Sequence, residues 1–388
     1  MKTNKRGISL IVLVITIIIM IILATAIILS LQSSGIIGRS NKAKEDTDAS
    51  SLKEAATLKY AEYDLKTEIG EIDITSKSAD AYVKEALQNQ FTEEQLGTLS
   101  ISNEGKITVY TMPVIPTGFV ASPYEGENTV AEGLVIYETD SLDGVEQDEA
   151  MTTYNQYVWI PVPEISEFQR IAWNNETLSY YGEYKYESSQ FNAMKASVEK
   201  YGGFYIARYE SGVEKIDNKD TLVIKKEATV YELAFDKNWN EENAEDTFTT
   251  YGYDTNPGCA KESKASYSNA TRHLIFGVQW DAALKFMNDS THDVRNSTTW
   301  GNYTATLEST GSNDTWKVKN VYDFAGNAAE YTYEIFREND CACRVIRGLT
   351  ANTWMEESED FNETQSASAR DIKAPGFAAG FRVALYLK

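Results

Sequence analysis

The hydrophobic positions of this chain follow three patterns, and the first is an unbroken apolar run. Ile8 to Leu31 contain no charged residue, and isoleucine, leucine and valine dominate. About 24 residues in a helix reach about 36 Å, which is enough to cross the hydrocarbon core of a bilayer. Lys2, Lys5 and Arg6 precede the run, so the positive-inside bias places the amino end in the cytoplasm. The pattern therefore predicts an inner-membrane helix with the rest of the chain outside the cell.

The second pattern mixes charged and small residues with apolar ones at helical spacing. Residues 41–66 have this spacing, which predicts a helix that continues the membrane segment as a stalk. Residues 79–90 predict a second, short helix, with Ser78 as a possible N-cap. Residues 99–110 alternate around a polar turn, as a hairpin does. Residues 67–112 are therefore predicted to form a small α+β unit.

The third pattern consists of short apolar runs that are separated by glycine, proline and polar loops, which is typical of strands. The predicted strands cover residues 134–137, 157–163, 202–210, 274–276, 344–348 and 380–386. The residues that follow 276 predict an amphipathic helix with Asp281 as its N-cap and Ala283, Phe286 and Met287 on its buried face. The predicted fold class is α+β: a long amino-terminal transmembrane helix, a small stalk unit and a strand-rich carboxyl-terminal domain.

Composition narrows the classes of function. The 388 residues carry a net charge of -22 and have a sequence pI near 4.6. Such a surface repels phosphate backbones, so no nucleic-acid partner is expected. The chain contains 24 tyrosines, and tyrosine suits exposed recognition surfaces because it offers a large rigid area with a polar tip. These features favour a solvated extracellular protein.

The three cysteines leave their pairing open. Cys341 and Cys343 are separated by one residue and would point to the same face of a strand. Either could pair with Cys259, which would leave one thiol over. A zinc site would need four ligands at typical spacings, and His273 and His292 are both distant in sequence. The sequence therefore does not favour a metal role for the cysteines.

The start of the chain resembles that of type IV pilin-like proteins. In that family the leader is cut after a glycine next to basic residues, and the apolar helix stays with the mature protein. Gly7 and Ile8 match this junction. The resemblance implies a leader over residues 1–7, a transmembrane and stalk helix over 8–66, cleavage by a prepilin peptidase, and assembly with other pilin-like subunits. Val12 stands where most pilins have a glutamate that pairs with a neighbour's terminal amine. A permanent signal anchor is the alternative, since the run is too long for an ordinary cleaved signal peptide.

The carboxyl-terminal part resembles the formylglycine-generating enzyme, or sulfatase-modifying factor, family, whose domain has a C-type-lectin-like fold. The resemblance covers about residues 113–388. It rests on five segments in the family's order, namely residues 202–210, 278–286, 323–331, 347–348 and 380–382. Tyr331 replaces a family tryptophan, and Gly348-Leu349 replaces a pair of glycines. The apolar members Trp159, Phe204, Trp280, Phe324 and Phe381 are expected to build the core.

The catalytic chemistry of that family is not expected to carry over. Its oxidases use a copper-binding cysteine pair between the arginine-glycine strand and the terminal glycine-phenylalanine-arginine, and residues 349–379 contain no cysteine. We therefore predict no catalytic residue and no required cofactor. The resemblance does imply a possible calcium site at Gly326, Asn327, Ala328 and Glu330, because calcium prefers oxygen ligands. In the alternative interpretation, Glu330 is a structural hydrogen-bonding residue and Asn327 a turn former.

A binding function is the expectation that remains. Domains of this fold present loops on a rigid sheet, and recognition commonly lies on loops. Residues 350–379 are long and polar, and Asn352, Trp354, Arg370 and Phe377 are the predicted ligand contacts. We predict a bacterial, Gram-positive surface protein or filament subunit that displays a non-catalytic adhesion domain for an unknown protein or glycan. The alternatives are a membrane-tethered enzyme of the sulfatase-modifying factor class, a retroelement-diversified receptor and a purely structural minor pilin.

Overall fold

The structure is a computed structural model. It describes residues 36–73, 77–102, 105–184, 187–233, 258–303, 306–338, 341–348, 365–373 and 378–388, and gives only the backbone of residues 36–46, 338, 341–343 and 373. No helix within these ranges is long and apolar enough to cross a membrane. The predicted membrane run 8–31 and the processing residues Gly7 and Ile8 lie outside the described residues.

The chain divides into two compact units, Met1–Phe91 and Thr92–Lys388. The described part of the first unit contains helix α1 (Ile36–Glu68) and helix α2 (Ala79–Leu87). Both helices were predicted. The Ser78 side chain accepts a hydrogen bond from the Ala81 amide at 3.2 Å, which confirms Ser78 as the N-cap of α2.

The larger unit is mixed α and β. Its described α-helices are α3 (Glu93–Gly97), α4 (Gln147–Thr153), α5 (Ser188–Tyr201), α6 (Cys259–Glu262) and α7 (Gly277–Met287). Its described strands are β1 (Leu99–Ile101), β2 (Ile107–Val109), β3 (Val120–Ala121), β4 (Val135–Tyr137), β5 (Gln156–Pro161), β6 (Tyr181–Glu183), β7 (Gly203–Ala207), β8 (Gly212–Ile216), β9 (Lys219–Val223), β10 (Thr229–Val230), β11 (Ala265–Ser266), β12 (Ala270–Leu274), β13 (Lys317–Val318), β14 (Val321–Tyr322), β15 (Glu330–Glu338), β16 (Cys341–Arg347), β17 (Arg370–Lys373), β18 (Gly380–Phe381) and β19 (Val383–Leu387). Each of the six predicted strand regions shares residues with an observed strand.

The predicted hairpin is present as β1 and β2, but it belongs to the larger unit rather than to the stalk. The Ala131 amide donates to the Gly97 carbonyl just before β1, and the Tyr110 ring after β2 meets the Phe286 ring edge-on at 5.9 Å. These contacts attach the hairpin to the strand-rich domain. The division between the two compact units falls after Phe91.

Two sheets organise the larger unit. The first has seven strands in the order β11-β12-β19-β7-β5-β4-β3, and its pairs are antiparallel. The final strand of the chain, β19, lies inside this sheet between β12 and β7. The second sheet has the order β17-β16-β15-β18, and β6 also pairs with β15. Within it, β15 and β18 run parallel, while β6, β16 and β17 form antiparallel pairs.

Aromatic side chains fill the core, as the sequence predicts. Trp159, Phe204, Trp280, Phe324 and Phe381 are all buried. The Trp280 and Phe324 rings stack with centroids 3.9 Å apart. Full burial of such a side chain contributes about 1.5–3 kcal/mol, so these residues contribute to the stability of the domain.

The prediction for the start of α7 was wrong. The helix begins at Gly277, so Asp281 lies inside it and is fully buried. Glu183 of β6 accepts hydrogen bonds from the Gly277 and Val278 amides at 3.3 and 3.2 Å. The Glu183 carboxylate thus accepts hydrogen bonds from amides that have no partner inside the helix at this end. Asp281 is not needed as a cap and points into the protein interior instead.

Candidate functional site

The most prominent polar feature of the larger unit is a buried group of ion pairs, which we call the arginine network. Its members are Arg170, Arg347, Arg370, Glu176, Glu183, Asp281 and Glu334. They come from β6, α7, β15, β16, β17 and the loop around residues 168–177. Because these elements are distant in sequence, the network exists only in the folded domain.

Arg347 lies at the centre of the network. Its guanidinium donates to Glu334 Oε2 at 3.0 Å and to Asp281 Oδ1 at 2.8 Å. It also donates to the carbonyls of Ala369 and Ser368 at 3.1 and 3.2 Å. All three charged side chains of this group have no exposed area. Charge-assisted hydrogen bonds of this kind are stronger than neutral ones and tie β16 to β15, α7 and the start of β17.

Arg370 lies beside Arg347 and shares its acidic partners. It donates to Glu334 Oε1 at 3.1 Å, Asp281 Oδ2 at 2.6 Å and Glu176 Oε1 at 2.9 Å. A further bond of 3.1 Å reaches the carbonyl of Ile171. Burial alone would lower the pKa of Arg370, but the neighbouring Glu334, Asp281 and Glu176 carboxylates outweigh it and raise that pKa. The guanidinium is therefore held charged inside the domain.

The network also fixes a surface loop. Asp281 accepts hydrogen bonds from the Ile171 amide at 3.0 Å and from Trp173 Nε1 at 3.2 Å. Asn174 donates to the Ser368 hydroxyl at 3.1 Å. The loop is thus attached at three successive points to α7 and to the segment before β17. Side chains that it exposes are held in place before any ligand arrives.

A second buried group, which we call the acidic cluster, contains Glu210, Asp323, Glu330 and Arg382. The two oxygens of Glu330 accept from Arg382 Nε at 3.0 Å and Nη2 at 2.7 Å. Glu210 accepts from the Ala328 amide at 2.9 Å and from Asn327 Nδ2 at 2.5 Å. Asp323 Oδ2 accepts from the Gly311 amide at 2.7 Å. Asp323 Oδ1 is buried and has no hydrogen-bond partner among the described residues.

The acidic cluster holds three carboxyl groups against one guanidinium, so its charges do not balance. Burial raises the pKa of Glu210 well above its usual range, and the nearby Asp323 and Glu330 raise it further. Burial likewise raises the pKa of Asp323 to about 7. With all three carboxyl groups ionised the cluster would carry two excess negative charges, so two protons or a divalent cation would neutralise it.

The loop that carries the predicted calcium ligands wraps around this cluster. Gly326 has a φ of +76°, and a Cβ there would come within 2.1 Å of the Asn302 carbonyl oxygen, so only glycine fits. Asn327, also left-handed with φ 58°, accepts from Asn302 Nδ2 and the Glu308 amide, both at 2.9 Å. Asn327 therefore bridges two loops.

Of the four predicted calcium ligands, the two with polar side chains, Asn327 and Glu330, already have protein partners. Glu330 binds Arg382, and Asn327 bonds to Glu210 and Asn302. Within the described ranges no group of three or more His, Cys, Asp or Glu side chains is arranged to hold a metal ion. The calcium site stays a prediction from the family resemblance, and the surplus of negative charge beside it is a second reason to test it.

Of the predicted ligand contacts, Arg370 alone is described. It is only 7% exposed, and the network uses its donors. A ligand could touch its guanidinium only after displacing Glu176 or the loop at Ile171. Asn352, Trp354 and Phe377 lie outside the described residues. Cys259 is buried in α6, and the side chains of Cys341 and Cys343 are not described.

Sequence reasoning missed Glu183, Glu334 and Arg347 as members of one network. A usable signal was present, since Arg347 and Arg382 each stand within an apolar strand segment. A charged residue in such a place is almost never fully buried unless it is paired, so each predicts a distant carboxylate partner. The identity of that partner depends on strand pairing, which the sequence does not state.

Comparisons of the chain with protein-family models, with curated proteins and with solved structures found no match.

Proposed function

We propose that this chain is a bacterial, pilin-like cell-surface protein that displays a non-catalytic, C-type-lectin-like domain for adhesion or ligand binding. The observation that carries the proposal is the order of elements at the amino end. Twenty-four uncharged residues, 8–31, follow a basic segment and lead into the 33-residue helix α1. A basic, apolar, then amphipathic helical start is what a membrane-held stalk requires.

The roles of the motif residues support a non-catalytic domain. Glu210, Asp281, Asn327, Glu330 and Arg382 belong to the segments that resemble the sulfatase-modifying factor family. Each of them is fully buried and bonded to other parts of the fold. Residues in such positions hold a fold together, and they can be shared by proteins that differ in chemistry. The resemblance is therefore a reason to propose the fold without the family's oxidase activity.

The amino-terminal residue of the native protein tests the pilin-like half of the proposal. We expect mass spectrometry of a surface fraction to find a chain that begins at Ile8. A Gly7→Leu variant is the matched control, because it alters the junction and leaves the apolar run unchanged. A native chain that still begins at Met1 would replace the pilin assignment with a permanent membrane anchor.

An activity measurement tests the non-catalytic half. The full chain in detergent, loaded with copper, is incubated with a cysteine-containing peptide, and the peptide mass is followed. We expect no oxidation of the peptide cysteine, because residues 349–379 supply no thiol. Conversion of that cysteine to an aldehyde would overturn the proposal in favour of the membrane-tethered enzyme.

A further inference from the structure

The second sheet has one face whose two halves differ in chemistry. Residues two apart on a strand share a face, so Tyr181 lies beside Glu183 and Phe336 beside Glu334. The pairing of β6 with β15 sets Tyr181 opposite Phe336 and Glu183 opposite Glu334. On β17, Ile372 shares a face with Arg370 in the same way. The inner half of this face therefore belongs to the arginine network, and its outer half is aromatic and apolar.

The outer half is open. Tyr180 is 40% exposed and Ile372 is 38% exposed, and Tyr181 and Phe336 are half-buried. The Phe336 ring meets the Tyr180 ring at a centroid distance of 5.7 Å and the Tyr181 ring at 5.1 Å. We call Tyr180, Tyr181 and Phe336 the aromatic strip, and Ile372 lies on the same face of the sheet, on β17. Clustered exposed aromatic residues of this kind mark binding surfaces more often than scattered ones do.

Polar groups border the strip. The hydroxyls of Tyr180 and Tyr181 have no hydrogen-bond partner within the part of the chain that the structure describes. The exposed Asn175, which has a left-handed φ of 63°, precedes the Glu176 that Arg370 binds. The Arg370 guanidinium lies 5.2 Å from the centre of the Tyr181 ring, so it links the loop to the strip. The surface thus combines ring faces with free hydroxyl and amide groups.

The charge around the strip restricts the ligand. Arg370 and Arg170 are each bound by carboxylates, so neither offers a free positive charge to an anion. The carboxylates of Glu176 and Glu183 are paired in return, so neither of these two described carboxylates offers a free negative charge to a cation. The net charge of -22 on the chain repels anionic ligands further. A neutral ligand with an apolar face and a polar rim fits these conditions, and a pyranose ring has that form.

From these contacts we infer that the aromatic strip, together with Asn175, is a binding site for a neutral glycan. The inference deepens the proposed function and rests on it. Sugar rings stack their C–H faces on Tyr180 and Phe336, and their hydroxyls bond to the tyrosine hydroxyls and to the Asn175 amide. Arg370 is a positioning residue in this site, because it holds Glu176 and Tyr181 in place without reaching the ligand.

The test measures retention of the full chain on beads that carry dextran, mannan or galactan. The chain is held in lipid nanodiscs, since alkyl-glycoside detergents would compete with the ligand. We expect retention on at least one of these neutral polysaccharides and at least about tenfold weaker binding by the Tyr180→Ala/Phe336→Ala variant, which corresponds to about 1.4 kcal/mol. Ile216→Ala is the matched control, because it removes an exposed apolar side chain from a different sheet.

Three results would overturn the inference. The first is a full chain that none of the neutral polysaccharides retains. The second is retention that survives in the double variant and is lost in Trp354→Ala, which would move the site to the segment around Trp354. The third is a protein partner that binds through the strip and displaces no sugar. In each of these cases, finding the chain on the cell surface with Ile8 as its first residue would leave the proposed function standing. If the chain is absent from the surface fraction, both the proposed function and the glycan site are wrong.

Discussion

The arginine network and the acidic cluster are both buried in the larger unit, and their carboxylates are compensated differently. The network sets three guanidiniums against four carboxylates, and each guanidinium has at least one carboxylate partner. The acidic cluster sets three carboxyl groups against Arg382 alone. Glu210 and Asp323 in that cluster rely on backbone and amide hydrogen bonds. The first group is an internally paired set of ions, whereas the second depends on protons or on a cation.

This difference predicts opposite responses to the removal of a charge. Removing one partner from the network leaves buried ions with fewer partners and an uncompensated charge, which is costly. Removing a carboxylate from the acidic cluster relieves a surplus of like charge. The four experiments that follow test this contrast, and each unfolding measurement uses the full chain.

Arg347→Ala is expected to have the largest effect. It leaves Glu334 and Asp281 without their central partner and should lower the free energy of unfolding by about 3–5 kcal/mol. Denaturant titration measures the loss. Arg295→Ala is the control, because Arg295 makes an exposed ion pair with Asp293 and its removal should leave the unfolding midpoint unchanged. Equal effects of the two variants would show that the network contributes no more than a surface pair.

Asp323→Asn should flatten the pH dependence of stability. The pKa of Asp323 is about 7 in the folded protein and near 3.8 in the unfolded chain. Its proton therefore stabilises the fold fully below about pH 4, and this stabilisation is lost as pH rises towards 7, by at most about 4 kcal/mol. We expect the variant to lack that slope when unfolding is measured from pH 4 to 8 with a chelator present.

The exposed Asp220→Asn change is the matched control for Asp323→Asn, since it also removes one acid. It should leave the pH dependence of the free energy of unfolding the same as in the unaltered chain. An Asp323→Asn variant that keeps the full slope would show that another carboxyl group of the cluster takes up the proton.

Calcium should stabilise the acidic cluster and leave the arginine network unaffected. If calcium binds near Gly326 and Glu330 with millimolar affinity, 5 mM calcium should add about 1 kcal/mol to the free energy of unfolding. Magnesium at the same concentration is the control, because it fits flexible oxygen sites less well. Equal midpoints with calcium and with a chelator would leave Glu330 as the partner of Arg382 only.

Glu176→Gln should have the smallest effect of the four. Glu176 is the most exposed carboxylate of the network, with 12% of its side chain exposed, and among the described arginines it binds Arg370. Its replacement keeps a hydrogen-bond acceptor and should cost about 1 kcal/mol or less. A loss as large as that of Arg347→Ala would mean that the peripheral members of the network contribute as much to the free energy of unfolding as Arg347 does.

Local patterns predicted the secondary structure well. Helices α1 and α2, the β1–β2 hairpin and the strands from β4 to β19 that carry apolar runs follow from spacing and turn residues that act within a few positions. The Ser78 cap is local as well, because it needs only the amide of Ala81 three residues away. The burial of Trp159 and Trp280 follows from hydrophobicity alone.

The sites were harder to predict, because their members meet across long stretches of chain. Asp281 has the sequence context of a helix cap, but Glu183 takes that role from 94 residues away. Arg370 has the sequence context of a surface loop, but its guanidinium is buried because it binds Asp281 and Glu334. In both cases the competing partner comes from another strand, and strand order decides which carboxylate reaches which cation.

Residue order along the chain thus settles which segments are helical, which are extended and which side chains must avoid water. It also settles that Arg347 and Arg382 need buried partners, since a lone charge in a dry core costs several kcal/mol. Only the tertiary structure determines which carboxylates pair with these arginines. The pairing of β6 with β15 and of β16 with β17 brings Glu183, Glu334 and Arg370 to one face and leaves the aromatic strip beside them. Electrostatic pairing acts over a few ångströms in space, and only the tertiary fold sets those distances.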